Sequence, residues 1–410
     1  MTAQQAAPVG AQDSHAHIDP AAKASGFVPV QTRSERPRSF DPADFGAPSS
    51  REVNWKHAPL SRLATVFTDE ETEDGSDTAI EYVVDHLAEK GFLVESTGHQ
   101  AAVRGEFFTP EDLPSALAWK NSPNALHLRI PVNADVAEPL RIDLRGRGGH
   151  AQAHIVIEAM PNSRATVVLY HSGSAHYAQN VEIIVRDGAN LTVVSVQRWE
   201  DDAVHAAAHQ ARVDRDASLR HFVVSFGGGV VRVNPSVELA GSGAEGELFG
   251  LSFADAAQHL ESQVYLHHKG AQTRGDVLYK SALQGETARS VWIGDVLIGR
   301  DAVGTDSYEA NRNLILTPGA RADSIPNLEI ETGDIEGAGH ASATGRFDDE
   351  QLFYLQSRGI DEEEARRLVV IGFLSDIVQR LGIDALEEEL FAAIEEELSE
   401  VPANEGTGPA

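Results

Sequence analysis

The chain has 410 residues, 41% of them hydrophobic, no cysteine, and a formal net charge of −30. This length can bury a sizeable core, while the lack of cysteine excludes disulfides, a thiolate zinc site, a cysteine nucleophile and an iron–sulfur cluster held by thiolates of this chain. The acidic balance argues against nucleic acid or an anionic membrane, which call for a basic face, and suits a solvated acidic surface or a basic protein partner.

Residues 1–50 are rich in Ala, Gln, Pro, Ser and Asp and lack a sustained apolar period, which predicts a mostly disordered arm. His15 and His17, in DSHAHID, read as polar sequence within that arm rather than as a metal pair. The opening stretch has neither the basic start nor the apolar core of a secretory signal, and no apolar run approaches the ~20 residues of a membrane span, so a cytoplasmic location is expected. Residues 51–125 mix helical and strand patterns, as in a small mixed domain. In DTAIEYVVDHLAEKGF, Ile80, Val83, Val84 and Leu87 share one helical face, with Gly91 as a stop.

From 126 to 346 the texture changes. Short runs such as RIDLRG, HIVIEAM, TVVLYHSG, VEIIVRDG, LTVVSVQ and HFVVSFGGG are separated by Gly, Asn, Asp or Ser, the mark of strands joined by turns. No long helical pattern interrupts them, which excludes a doubly wound sheet. Ala189, Ala217, Ala244 and Ala271 open strands at intervals of roughly 27 residues, the repeat of a β-solenoid; a sandwich is the alternative. The ends of such a stack leave strand edges on which another protein can pair.

Residues 347–400 turn helical. Asp348, Asp361 and Asp384 are each followed three residues on by Gln351, Glu364 and Glu387, as in capping boxes, and Gly359 and Gly382 are the stops. Ala365, Val369, Phe373, Ile377 and Leu381 are expected to line the inner side of the middle helix. Residues 401–410 read as a loose tail. The fold class is therefore mainly β, a parallel β-solenoid with a small N-terminal mixed α/β region and a C-terminal helical domain that caps it.

Several motifs carry less chemistry than they suggest. His205 and His209 are four apart, but their surroundings are strand-like and no glutamate follows His205 as in a zincin, so they read as structural or partner-facing. His267 and His268 are adjacent, which in a strand sends them to opposite faces. The run FGGGVV at 226–231 lacks the Gly-Lys-Ser/Thr ending of a phosphate loop and reads as a turn between coils. Asp201 and Asp202 are the candidate carboxylate pair for a β-helix enzyme acting on polysaccharide, but adjacent acids are more often a solvated turn.

The segment from Ser290 to Gly359 contains SYEANRNLIL, GARADSIPNLEIETGDI, a histidine, and GRFDDEQLFYLQSRGI, in that order. It closely resembles the C-terminal core of the SufB/SufD family, and EVNWKHAPLSRL at 52–63 resembles the opening segment of the SufD branch. The resemblance implies a right-handed parallel β-helix. It also implies pairing with a SufB-like subunit through the β-helix, and docking of a SufC-like ABC ATPase through the C-terminal helices. Such a chain is a non-enzymatic scaffold. It holds no cofactor stably and shares a transient iron or iron–sulfur cluster with its partner. His340, in GAGHASATG, falls where the family places a histidine implicated in cluster formation, and imidazole is a competent iron ligand. The plainer reading is a turn histidine bonded to a neighbouring strand. SufD chains often carry Cys two residues before this histidine, where this chain has Ala338. For the ATPase contact the resemblance points to Phe353, Ser357, Arg358, Gly359, Ile360 and Phe373. A SufB-like paralogue and a purely structural subunit are the alternatives; the lack of cysteine favours the SufD branch.

Overall fold

The structure, a computed structural model, describes residues 36–69, 79–84, 91–347 and 349–399. His15, His17, Leu87, Asp348 and the tail lie outside the described residues. Of the stretch read as an arm, residues 38–44 carry defined contacts. Asp41 accepts a hydrogen bond from the Ala43 amide, and Arg38 pairs with Glu111 at 2.5 Å.

The centre of the molecule is a β-solenoid of about eight turns. Two long strands, β4 (Leu140–Ala159) and β5 (Arg164–Val185), each bend to serve both of its sheets. The first half of β5 starts one sheet, which continues through β6 (Asn190–Trp199), β8 (Ser218–Ser225), β10 (Glu245–Ala254), β12 (Arg274–Leu283), β14 (Thr305–Ile315) and β16 (Ile335–Arg346). The second half starts the other, through β7 (Val204–Val213), β9 (Val230–Leu239), β11 (His259–His268), β13 (Arg289–Ile298) and β15 (Arg321–Ile330). All of these pairings are parallel.

The coil repeat follows the alanines only in part. Ala189, Ala217 and Ala244 precede successive rungs and are fully buried, but Thr273, not Ala271, precedes the next. The coil from Glu245 to Arg274 is longer than the one from Ser218 to Glu245, and Thr273 Oγ1 reaches Thr305 Oγ1 of the following coil at 3.1 Å. FGGGVV is the corner between β8 and β9. A Cβ on Gly227 would stand 2.1 Å from the Trp199 carbonyl oxygen, so only glycine lets the corners stack.

Strands in this stack are buried on both faces, which is why they read as near-continuous apolar runs. In β10, Leu248 faces the interior, where it joins Leu191, Leu219 and Val277. Phe249, Leu251 and Phe253 face outward and are equally buried. What covers them is the C-terminal helices α3 (Glu362–Gln379) and α4 (Asp384–Ser399), with α2 (Asp349–Gln356) preceding them. The helices therefore lie across one sheet and do not cap an end of the solenoid; the outward row Val194, Phe222, Phe249 demands the cover. Asp361 caps α3 through the Glu364 amide, as its spacing predicts. The buried face of α3 is Ala365, Val370, Leu374, Ile377 and Val378, with Leu381 buried just past the helix end, leaving Val369 and Phe373 half-buried at its flank.

The opposite sheet is covered by the N-terminal segment, where Trp55, Leu63 and Val66 pack on Val204, Ala206 and Val230. Ile80–Val84 is a strand, β1, rather than the start of a helix; it pairs antiparallel with β4. Its β-branched and aromatic composition suits a pleated surface. Ile80 and Val84 reach the interior core while Tyr82 Oη meets Tyr177 Oη at 3.0 Å. β2 (Leu93–Gly98), β3 (Asn124–Ile130) and α1 (Leu113–Asn121) complete this end. Among the described residues no helix is long and apolar enough to cross a membrane.

Candidate functional site

At the other end of the stack β16 is the last rung, paired with β14. Its register sets Ala338 on Ser307, His340 on Glu309 and Ser342 on Asn311. Residues two apart share a face of a strand, so His340 stands over the inward row of β14, in which Ser307, Glu309 and Asn311 are buried. Among the described residues no further rung covers it. The His340 side chain is 46% exposed and that of Glu309 beneath it 1%, with Nδ1 and Oε1 3.8 Å apart. That separation is too long for a direct hydrogen bond.

Among the described residues neither carboxylate oxygen of Glu309 has a hydrogen-bond partner. Burial, and after it the charge of Asp295, pushes its carboxyl up to about 8. Room for the group comes from across the interior. A Cβ on Gly294 of β13 would lie 2.4 Å from Glu309 Oε2 and 2.3 Å from the Trp292 ring. The Trp292 indole nitrogen and the Tyr279 hydroxyl are also buried without partners, and their rings stand 6.2 Å apart. The open end of the solenoid thus holds a polar compartment whose hydrogen-bonding capacity is unused.

Likeness to known proteins places the chain in a family. Residues 142–373 match the family model described as SUF system FeS cluster assembly, SufBD core domain. An iron-sulfur cluster assembly SufBD family protein of Mycobacterium bovis is 46% identical over 378 residues, which cover 90% of this chain and 94% of that protein. One from Mycobacterium leprae is 45% identical over 370 residues, 88% of this chain and 93% of the relative. The chain belongs to the SufBD family. A second M. leprae protein of the family is 29% identical over 270 residues, 65% of this chain but 30% of that longer protein. Membership implies a role in iron–sulfur cluster assembly, and the matched core spans both Glu309 and His340.

The residues expected to meet an ATPase fall into two groups in this SufBD protein. Phe353 is 71% exposed on α2, beside the exposed Tyr354, whose ring lies 4.6 Å from the Arg358 guanidinium. Gly359 ends α2 with φ +85, and the amides of Gly359 and Ile360 donate to the carbonyls of Gln356 and Leu355. This pairing is the glycine-terminated helix end that leaves Ser357 and Arg358 at the surface. Phe373 is apart from them. It is half-buried on α3, where its carbonyl accepts from Lys280 Nζ at 2.9 Å and its ring lies 5.2 Å from the same ammonium, so it faces β12.

His205 and His209 point into the solenoid, which rules out a partner-facing role. They join His171 and His221, all fully buried. His209 Nδ1 lies 2.9 Å from His221 Nε2, and the His171 and His205 rings are 5.1 Å apart. Burial lowers His171 and His221 to about 4 and holds His205 and His209 well below the usual imidazole range, so these four rings stay neutral. His267 and His268 do part to opposite faces, and His268 bonds Thr273 and Ser307 inside. Asp201 and Asp202 form an exposed turn between β6 and β7, where Asp201 accepts from Gln258. Among the described residues no group of three or more His, Cys, Asp or Glu is placed to hold a metal ion. Glu309 carried no signal in the sequence, because SYEANRN reads as an ordinary alternating strand.

Proposed function

We propose that this SufBD protein is the SufD-type, cysteine-free scaffold subunit of a cytoplasmic iron–sulfur cluster assembly complex, without catalytic activity of its own. The observation that carries this is His340, exposed on the last rung of the solenoid in a chain with no cysteine. A single imidazole is a ligand for iron but an incomplete site. A cluster or iron ion held there is cargo, and its remaining ligands, thiolates above all, come from a partner chain.

Two surfaces suit the partners. β15 and β16 end the two sheets and carry backbone groups and the exposed Ile330 at the rim, with the exposed Tyr308 of β14 beside them, the kind of edge on which a second β-solenoid of SufB type stacks. The exposed Phe353 and Tyr354, with Ser357 to Ile360 at the helix end, form a protruding aromatic anchor of the kind that fills a groove on an ABC ATPase. The occurrence of two SufBD proteins in M. leprae, one matched over 93% of its length and one over 30%, fits a division of labour between unlike subunits.

The test is affinity purification of the tagged full chain from its source cells. A second SufBD subunit and an ABC ATPase are expected in the eluate; recovery of neither overturns the reading. His340→Ala is expected to leave that complex assembled while lowering the maturation of iron–sulfur reporter enzymes. Unchanged maturation removes His340 from the site.

A further inference from the structure

The orphaned carboxylate below His340 has a chemistry that the preceding reading leaves unused. A buried polar group without a partner costs free energy, and a charged one costs far more. Glu309 is nevertheless placed with both oxygens unpartnered, in a space that only a glycine at 294 leaves open. Among the described residues no arginine or lysine forms an ion pair with it; the charged or titratable groups beside it are His340 at 3.8 Å and Asp295, which repels it. A site that lacks a counter-cation yet retains the carboxyl is shaped for a cation that arrives and displaces the proton.

The distance fits such a guest. Two ligands bonded to one first-row metal ion at about 2.1 Å each lie about 3 to 4 Å apart, and Nδ1 of His340 is 3.8 Å from Oε1 of Glu309. The two groups come from neighbouring parallel strands in direct register, so their spacing is held by the β14–β16 ladder and not by a loop. An imidazole with a carboxylate is a donor pair for ferrous iron and its borderline relatives. From this juxtaposition we infer that Glu309 is the second ligand of this chain: with His340 it forms a two-donor half-site for a divalent transition-metal ion at the open end of the solenoid, completed by ligands from the partner. This rests on the preceding reading of His340. It adds that the chain offers the incoming metal a carboxyl group from within its core, which releases its proton to solvent as the metal binds, before any thiolate reaches it.

Cobalt(II) is the probe, because its visible ligand-field bands report nitrogen and oxygen donors directly. The full-length chain is titrated with Co²⁺ alone, and the wild type is expected to give a saturable spectrum. Glu309→Gln keeps the shape of the side chain and removes its charge. It is expected to weaken binding at least about tenfold, as is His340→Ala, while Glu336→Gln on the same strand leaves it unchanged. Circular dichroism checks folding, and Glu309→Asp, which withdraws the carboxylate by one methylene, serves if Gln is not tolerated. The inference is overturned if Glu309→Gln, or Asp in its place, binds Co²⁺ as the wild type does. It is equally overturned if the wild type shows no saturable signal at millimolar Co²⁺. Loss of binding in His340→Ala alone removes Glu309 and leaves the scaffold reading intact, because that reading is judged by co-purification and maturation.

Discussion

Glu309 and His340 face each other across one β-ladder at 3.8 Å, the first sealed in the core and the second open to solvent. The arrangement makes Glu309 the point at which the interior of the solenoid senses what sits on its end. In the isolated chain its neighbours are His340 and the repelling Asp295, and the proton is its only stable counter-ion.

That proton makes a pH signature. The carboxyl titrates near 4.5 when unfolded and at about 8 when folded. Below the unfolded value both states hold the proton and Glu309 carries no penalty. Between the two values the unfolded chain ionises while the folded one does not, so stability falls as pH rises. Relative to Glu309→Gln, the wild type is expected to lose on the order of a few kcal/mol between about pH 5 and about pH 8. Urea midpoints of the two proteins across that range measure the difference, and parallel profiles would count against it.

Two apolar positions of the helical region separate by readout. Leu374 is fully buried between α3 and the solenoid, so Leu374→Ala is expected to cost about 2–5 kcal/mol in denaturant unfolding. Phe353 is exposed, so Phe353→Ala is expected to change stability by less than about 0.5 kcal/mol while reducing recovery of the ATPase in pull-downs.

Arg232 ties the N-terminal segment to the solenoid. Its guanidinium donates to Glu261 at 3.0 Å and Asp112 at 2.9 Å, and stacks 4.1 Å from the Trp55 ring, with all three charges buried. Burial alone would raise Glu261, but the His259 hydrogen bond and the Arg232 charge outweigh it and hold it at about 2. Removing the cation strands two carboxylates, so Arg232→Ala is expected to cost about 3–5 kcal/mol. Limited proteolysis should then cut first within residues 51–69.

Two glycines test space against backbone conformation. Gly227→Ala drives a Cβ to 2.1 Å from the Trp199 carbonyl, and an expected loss of about 1–3 kcal/mol accompanies displacement of the coil corner. Gly359→Ala meets nothing within 4 Å but keeps φ at +85, so about 1–2 kcal/mol is expected, confined to the end of α2. Thermal unfolding, with backbone chemical shifts near each site, distinguishes them.

Much of this was legible in local pattern. Short β-branched runs between turn residues announce strands, and Asp361 with Glu364 announces a helix start, because strand alternation and cap geometry depend on a few neighbours in the chain. Long strings such as GARADSIPNLEIETGDI and GRFDDEQLFYLQSRG carried the family and put His340 in view. Local pattern misled where two periods coincide. Ile80, Val83 and Val84 suit a helix face as well as a strand, and pairing with β4 decided for the strand. Ala271 looked like a repeat position, yet the ladder put Thr273 there.

What the sequence determined by itself was a cysteine-free solenoid with a helical end and one histidine at its last strands. The tertiary structure decided the rest. Outward rows of Val and Phe drew the helices onto a sheet face, because apolar surface must be covered wherever it falls. Parallel register set Glu309 beneath His340, and Gly294 on the far sheet left the room for it. A carboxylate becomes an orphan only through what surrounds it in space, and those surroundings come from strands distant in the chain.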